Sequence, residues 1–334
     1  MQLTVNRSAL AAALATVSPA IPSRGIRPIL QNVRLSADGK LLRADATDLD
    51  LSISAALSAD IGEPGSTLVP GAHLTTLIRR MRAESVTLTL GTTLRVESTD
   101  GRFELPVVAG DEAGAFPALP EMPDGGEAIA SAELSAALRA VRHATATNEA
   151  MYSLAGVLFD ADEGAIVATD THRVAVARVT IGGTGRSIIP AKSCDVMAGL
   201  CAQGDTARIV QTERLLHVAC GDTRMATHLI EGNFPRWNEV IPATTGWPCA
   251  MRVDCAELLR AVELARMSAA DMTRAVRITI GPHCEASSES PEHGKGAAAI
   301  EAVDVKGSGI VTVNGDYLAQ AAISARGDTI EMFV

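Results

Sequence analysis

Asp170 and His172 are spaced for acid–base chemistry. They stand at i and i+2 within Ala168-Thr169-Asp170-Thr171-His172-Arg173-Val174-Ala175, and on an extended strand that spacing puts both side chains on one face. A carboxylate holding an imidazole as general base would follow, yet no nucleophile motif accompanies the pair. The competing reading is a strand-end turn whose polar side chains satisfy their own backbone. The six cysteines (Cys194, Cys201, Cys220, Cys249, Cys255, Cys284) lack C-x-x-C spacing and read as reduced, buried thiols. The seven histidines show neither H-E-x-x-H nor H-x₃₋₅-H spacing, and no glycine-rich phosphate loop occurs. The expectation is therefore no catalytic residue, no metal ligand and no cofactor. A different chemistry, contact with phosphates, is open to Arg79, Arg80 and Arg82 on one predicted helix and to Arg139 and Arg142 on another.

The elements that must hold these residues repeat. Arg7-Ser8-Ala9-Leu10, Ser131-Ala132-Glu133-Leu134 and Asp254-Cys255-Ala256-Glu257-Leu258 each open an Ala/Leu-rich helix, and Leu10, Leu134 and Leu258 stand 124 residues apart in both intervals. A second helix recurs in each copy, opening at Val69-Pro70-Gly71 and running to about Arg82, at Ile189-Pro190-Ala191, and at Val313-Asn314-Gly315. Alternating strands follow: Val86 to Leu90, Leu94 to Glu97 and Arg102 to Val108, then Ala207 to Gln211, Leu215 to Ala219 and Arg224 to Ile230. Pro/Gly-rich joints at Phe116 to Gly126 and Pro242 to Pro248 separate the copies. The fold expected is α+β: three similar domains over residues 1–122, 123–245 and 246–334, each with two helices packed on antiparallel sheet. The third copy shows one strand after its second helix, Asp328 to Val334, so it is expected to lack about two strands relative to the others.

Composition agrees with packed cores. Hydrophobic residues make up 47% of the 334, and the formal charge of −10 argues against a basic nucleic-acid coat protein while leaving room for a local basic face. No apolar run reaches the ~18 residues of a membrane span and no signal peptide opens the chain, so a cytoplasmic location is expected.

Three such copies resemble the bacterial DNA polymerase III beta subunit, the sliding-clamp family. Arg24 with Arg27-Pro28-Ile29-Leu30-Gln31-Asn32-Val33 resembles the family's "RP…PIL-x-N" segment, and Ala46-Thr47-Asp48-Leu49-Asp50 its "GTDLE" strand. Phe116-Pro117 and Glu231-Gly232-Asn233-Phe234-Pro235 resemble its two "FP" corners, and residues 168–175 its "ATDGHRLA" motif. The resemblance implies the DNA-clamp fold, with no chemistry of its own. It implies a head-to-tail homodimer closing a ring around duplex DNA without sequence preference, in the cytoplasm at the nucleoid. The polymerase III catalytic subunit and clamp-loader subunits would dock short peptide motifs in a pocket lined by Leu154, Thr169, His172, Arg173, Val174, Pro235 and Val240.

DNA would face Arg24, Arg79, Arg80, Arg82, Arg139, Arg142 and Lys192. The subunit contact would join Arg102, Phe103 and Leu105 to Met267 and the strand Ile300 to Val305, with an Arg102–Glu301 ion pair. Two departures from the family stand out. Glu239 replaces a commonly basic residue, and a final strand that walls the pocket is expected to be missing, which weakens peptide binding. Two alternatives follow: a divergent paralogue acting as a monomeric peptide-binding decoy, and, in a different class, an enzyme using Asp170 and His172.

Overall fold

A computed structural model describes residues 1–24, 27–108, 111–181, 185–202, 204–243 and 245–334; Thr244, inside the second predicted joint, lies outside them. Contacts divide the chain into two compact units, one of residues 1–135, 161–163 and 180–230, the other of residues 136–160, 164–179 and 231–334. This division cuts across the expected boundaries at 122/123 and 245/246. In the first unit the physical reason is backbone pairing between the first two repeats. Strand Leu51–Ser58 of the first pairs with Thr223–His228 of the second, with Ile53 opposite Met225. The result is one antiparallel sheet of eight strands in the order 127–130, 206–211, 215–220, 223–228, 51–58, 41–47, 32–38 and 65–70.

Helix α1 (Arg7–Val17) of that unit starts where the Asn6 side chain accepts the Ala9 N–H at 3.0 Å. It buries Leu10, Ala13, Leu14 and Val17, a stripe at helical spacing. Helix α2 (Gly71–Arg80) opens at a glycine because a Cβ at position 71 would stand 2.6 Å from Ile21 Cδ1 and 2.8 Å from Val33 Cγ2. It ends two residues before the predicted Arg82. Met81 turns extended, and the Asp100 carboxylate takes the N–H groups of Arg82 and Ala83 at 2.7 and 2.8 Å. Those bonds hold the Asp100 carboxyl below the usual range. A second sheet runs 60–63, 2–6, 85–90, 94–98 and 101–105. Its edge strand Gly101–Leu105 is shorter than predicted, and Val108 makes only an isolated bridge to Leu68. A one-turn helix α3 (Asp111–Gly114) follows.

The boundary between units falls within α4 (Ser131–Arg142). Helix α5 (Ala191–Cys201) belongs to the first unit. In the second unit, strands Gly156–Asp160, Ala165–Thr169 and Val174–Arg178 pair antiparallel in that order. Helices α6 (Cys255–Arg266) and α7 (Gly315–Ser324) are capped alike. Asp254 accepts the Ala256 and Glu257 N–H groups, and Asn314 those of Asp316 and Tyr317. They pack over Met251, Val253, Val276 and Ile278, all with essentially no exposure. Thr329–Phe333 pairs with Ala250–Asp254 much as Ser85–Leu90 pairs with Gln2–Asn6.

Among the described residues, no helix is long and apolar enough to cross a membrane. All six cysteines are free; burial pushes the Cys201 thiol up to about 12.

Candidate functional site

Residues 170–173 form a turn between two paired strands. Thr169 Oγ1 accepts the Thr171 N–H at 3.2 Å and donates to the Arg173 carbonyl at 2.7 Å. Asp170 Oδ1 accepts the N–H groups of His172 and Arg173 at 3.0 and 3.1 Å. Thr171 sits at φ 75°, the left-handed region that favours glycine. The first repeat builds the same turn. Thr47 Oγ1 accepts the Leu49 N–H, Asp48 Oδ1 accepts those of Asp50 and Leu51, and Leu49 sits at φ 82°. The strand-end reading accounts for the conformation. Asp170 binds the backbone of His172 rather than its imidazole, and His172 is exposed, so the acid–base reading of this pair is corrected.

What the second turn adds is Arg173. Its Nε donates to Asp170 Oδ2 at 3.0 Å, its other nitrogens donate to Gln320 Oε1 and the His143 carbonyl, and its guanidinium lies 4.1 Å from the Tyr317 ring centroid. Sequence reasoning missed Tyr317 and Gln320; their Asn314 cap was legible, but their partner, 144 and 147 residues earlier, was not. Burial and the Arg173 charge both lower the His143 pKa. The predicted site residues differ in exposure. His172, Pro235 and Val240 are exposed and Arg173 and Val174 half-buried, whereas Leu154 and Thr169 are buried. Trp237 was also missed. Fully buried, it donates from Nε1 to Asp160 Oδ2 at 2.9 Å and lies under Arg178, anchoring the segment that carries Pro235 and Val240. Glu239 pairs with Arg236 at 3.1 Å.

The candidate phosphate-contacting residues divide in two. Arg24, Arg79, Arg80, Arg82 and Arg139 are exposed, with Arg79 and Arg80 in the last turn of α2, where cations favour the helix dipole. Lys192 instead gives its ammonium to Asp48 at 2.5 Å, and the half-buried Arg142 donates to Thr145 at 2.7 Å. Both already have partners within the chain.

The predicted contact residues are also sorted by the fold. Phe103 and Met267 are 40% and 75% exposed, against 3% for Leu105 and 5% for Ile300, which belong to the core. Within the chain Arg102 pairs with Glu97 of its own hairpin at 2.6 Å. The strand expected over 300–305 is broken at Glu301 into Gly294–Ile300 and Ala302–Lys306, in different sheets. Glu257 Oε1 accepts the Glu301 N–H at the break, while its carboxylate holds Arg260. Those bonds hold the Glu257 carboxyl at about 2. Asp271, Glu292 and His293 also converge, at an exposed corner that sequence spacing did not reveal.

Helix pairs on antiparallel sheet, recurring along one chain, define a protein of the clamp fold. Family models for the DNA polymerase III beta subunit match its N-terminal domain to residues 1–120 and its central domain to residues 128–236. The beta sliding clamp of Caulobacter vibrioides is 30% identical over 300 residues, covering 84% of this chain and 79% of that one. That of Synechocystis is 27% identical, covering 99% and 92%. Among solved structures, the C. crescentus beta sliding clamp superposes with a TM-score of 0.84 at 28% identity over 99% of this chain and 92% of that one. The DNA polymerase III beta subunit of Pseudomonas aeruginosa gives 0.87 at 23% identity over 100% and 93%. The chain belongs to the DNA polymerase III beta subunit family, the beta sliding clamps. Its function is that of a DNA sliding clamp, a non-catalytic processivity factor.

Proposed function

We propose that this clamp works in the cytoplasm as a head-to-tail homodimer of three-domain chains, domains 1–122, 123–245 and 246–334, ringed around duplex DNA. The polymerase III catalytic subunit and loader subunits dock on it through short peptides. The match of 99% of this chain to 92% of the Synechocystis beta sliding clamp is the observation that carries this reading. Arg24, Arg79, Arg80, Arg82 and Arg139 contact phosphates without reading sequence. His172, Val174, Pro235 and Val240 receive peptide anchors, and Arg173, locked by Asp170 and Tyr317, holds that wall in place. The exposed Phe103 and Met267 supply apolar contact between subunits.

Sedimentation equilibrium over a range of protein concentrations tests the assembly. Twice the chain mass, persisting on dilution, is the expected result. A monomer at every concentration would sink the ring and favour the monomeric peptide-binding paralogue.

A further inference from the structure

On the face of the eight-stranded sheet turned away from its core, the first unit encloses a cavity of about 480 Å³. Its walls come from five neighbouring strands and from the segment Ala118–Met122, which crosses that face. The register lines up its polar residues. Arg34 stands opposite Asp45, Asp45 opposite Ser54, and Ser54 opposite Arg224, while Arg43 lies two residues from Asp45 on the same face.

Asp45 is 3% exposed. Both Arg34 bonds, at 3.1 and 2.9 Å, fall on its Oδ2, leaving the buried Oδ1 without a hydrogen-bond partner. Arg34 thus compensates the buried Asp45 carboxylate from within the chain. Arg34 is fixed from behind by Phe116, 5.4 Å from its ring centroid. His217, also 3% exposed, borders the cavity, and burial lowers its pKa, so its imidazole is neutral at pH 7. Arg43 and Arg224 also line it, and among the described residues neither guanidinium has an ionic or hydrogen-bonding partner. Arg34 is matched by Asp45, and Arg43 and Arg224 outweigh the one further carboxylate of the lining, Glu121, so the cavity keeps a net positive charge suited to an anion. On the opposite wall Leu119, Pro120 and Met122 give an apolar surface for a ring or stem, beside the Glu121 carboxylate.

We propose that this cavity binds a small phosphorylated ligand of nucleoside-phosphate size. Its phosphate sits between Arg43 and Arg224, and its apolar body lies against Leu119, Pro120 and Met122. None of its lining residues is among those assigned to DNA, peptide or subunit contact.

Isothermal titration of the full chain with ADP, inorganic phosphate and adenosine tests it. Saturable ADP binding at one site per chain is expected, with weaker phosphate binding and no adenosine binding. R43Q/R224Q should weaken ADP by at least about tenfold. Both side chains are partly or fully exposed, so an unchanged melting temperature will show that the variant folds. Absence of ADP binding up to about 1 mM, or ADP binding indifferent to R43Q/R224Q, would overturn the proposal. So would an Asp/Glu-rich peptide that binds through these arginines where ADP does not.

Discussion

Thr171 and Leu49 occupy left-handed backbone positions in equivalent turns of two repeats. A β-branched residue there costs about 1–2 kcal/mol relative to glycine, which gives back about 0.5–1 kcal/mol as unfolded-chain entropy. Thr171→Gly should therefore stabilise the chain by about 0.5–1 kcal/mol, read as a higher melting temperature; an unchanged or lower one would contradict the strain. Arg173→Ala removes charged hydrogen bonds and the Tyr317 stack at once, and should destabilise by about 2–3 kcal/mol. Arg173→Lys should not restore the loss, because an ammonium cannot fork between Asp170, Gln320 and the His143 carbonyl. The residues of this turn were legible in sequence as polar self-satisfying types. The hub was not, since nothing local to Arg173 announces Tyr317 or Gln320.

At the scale of elements, the helices and their caps were legible because apolar spacing and Asn or Asp before a first turn are local signals. Long-range bonds decided what sequence could not. Asp100 stopped α2 early, and Glu257 marked the break at Glu301. Glu257→Ala should speed amide exchange at Glu301 without unfolding α6, measured by hydrogen exchange; an unchanged rate would mean that the bond does not hold the break. His143 and His217 give the fold its acid sensitivity. Both pKa values are lowered in the fold, so both groups favour the neutral form there, and their contribution is fully present above the unfolded value of about 6.5. It is lost as pH falls through their folded values. The melting temperature should therefore drop on acidification below about pH 6.5, and the drop should shrink in His217→Gln.

For the whole molecule, the three-copy pattern was legible from equal leucine intervals, whereas the pairing of 51–58 with 223–228 was not, because strand-edge partners carry no spacing rule. Phosphate contact predicts a salt signature at this scale. Replacing Arg79, Arg80 and Arg82 with Gln should flatten the log–log salt dependence of DNA binding by about 2–3 units; an unchanged slope would remove them from the DNA contact. The same long-range pairing sets a timetable for synthesis. Strand 51–58 has one open edge until residues 223–228 arrive. At 5–20 residues per second, a ribosome leaves that edge unpaired for roughly 10–30 s. During that interval the nascent chain presents free backbone donors and acceptors to any neighbour, so slowing translation between residues 58 and 223 should raise the fraction that co-aggregates before release.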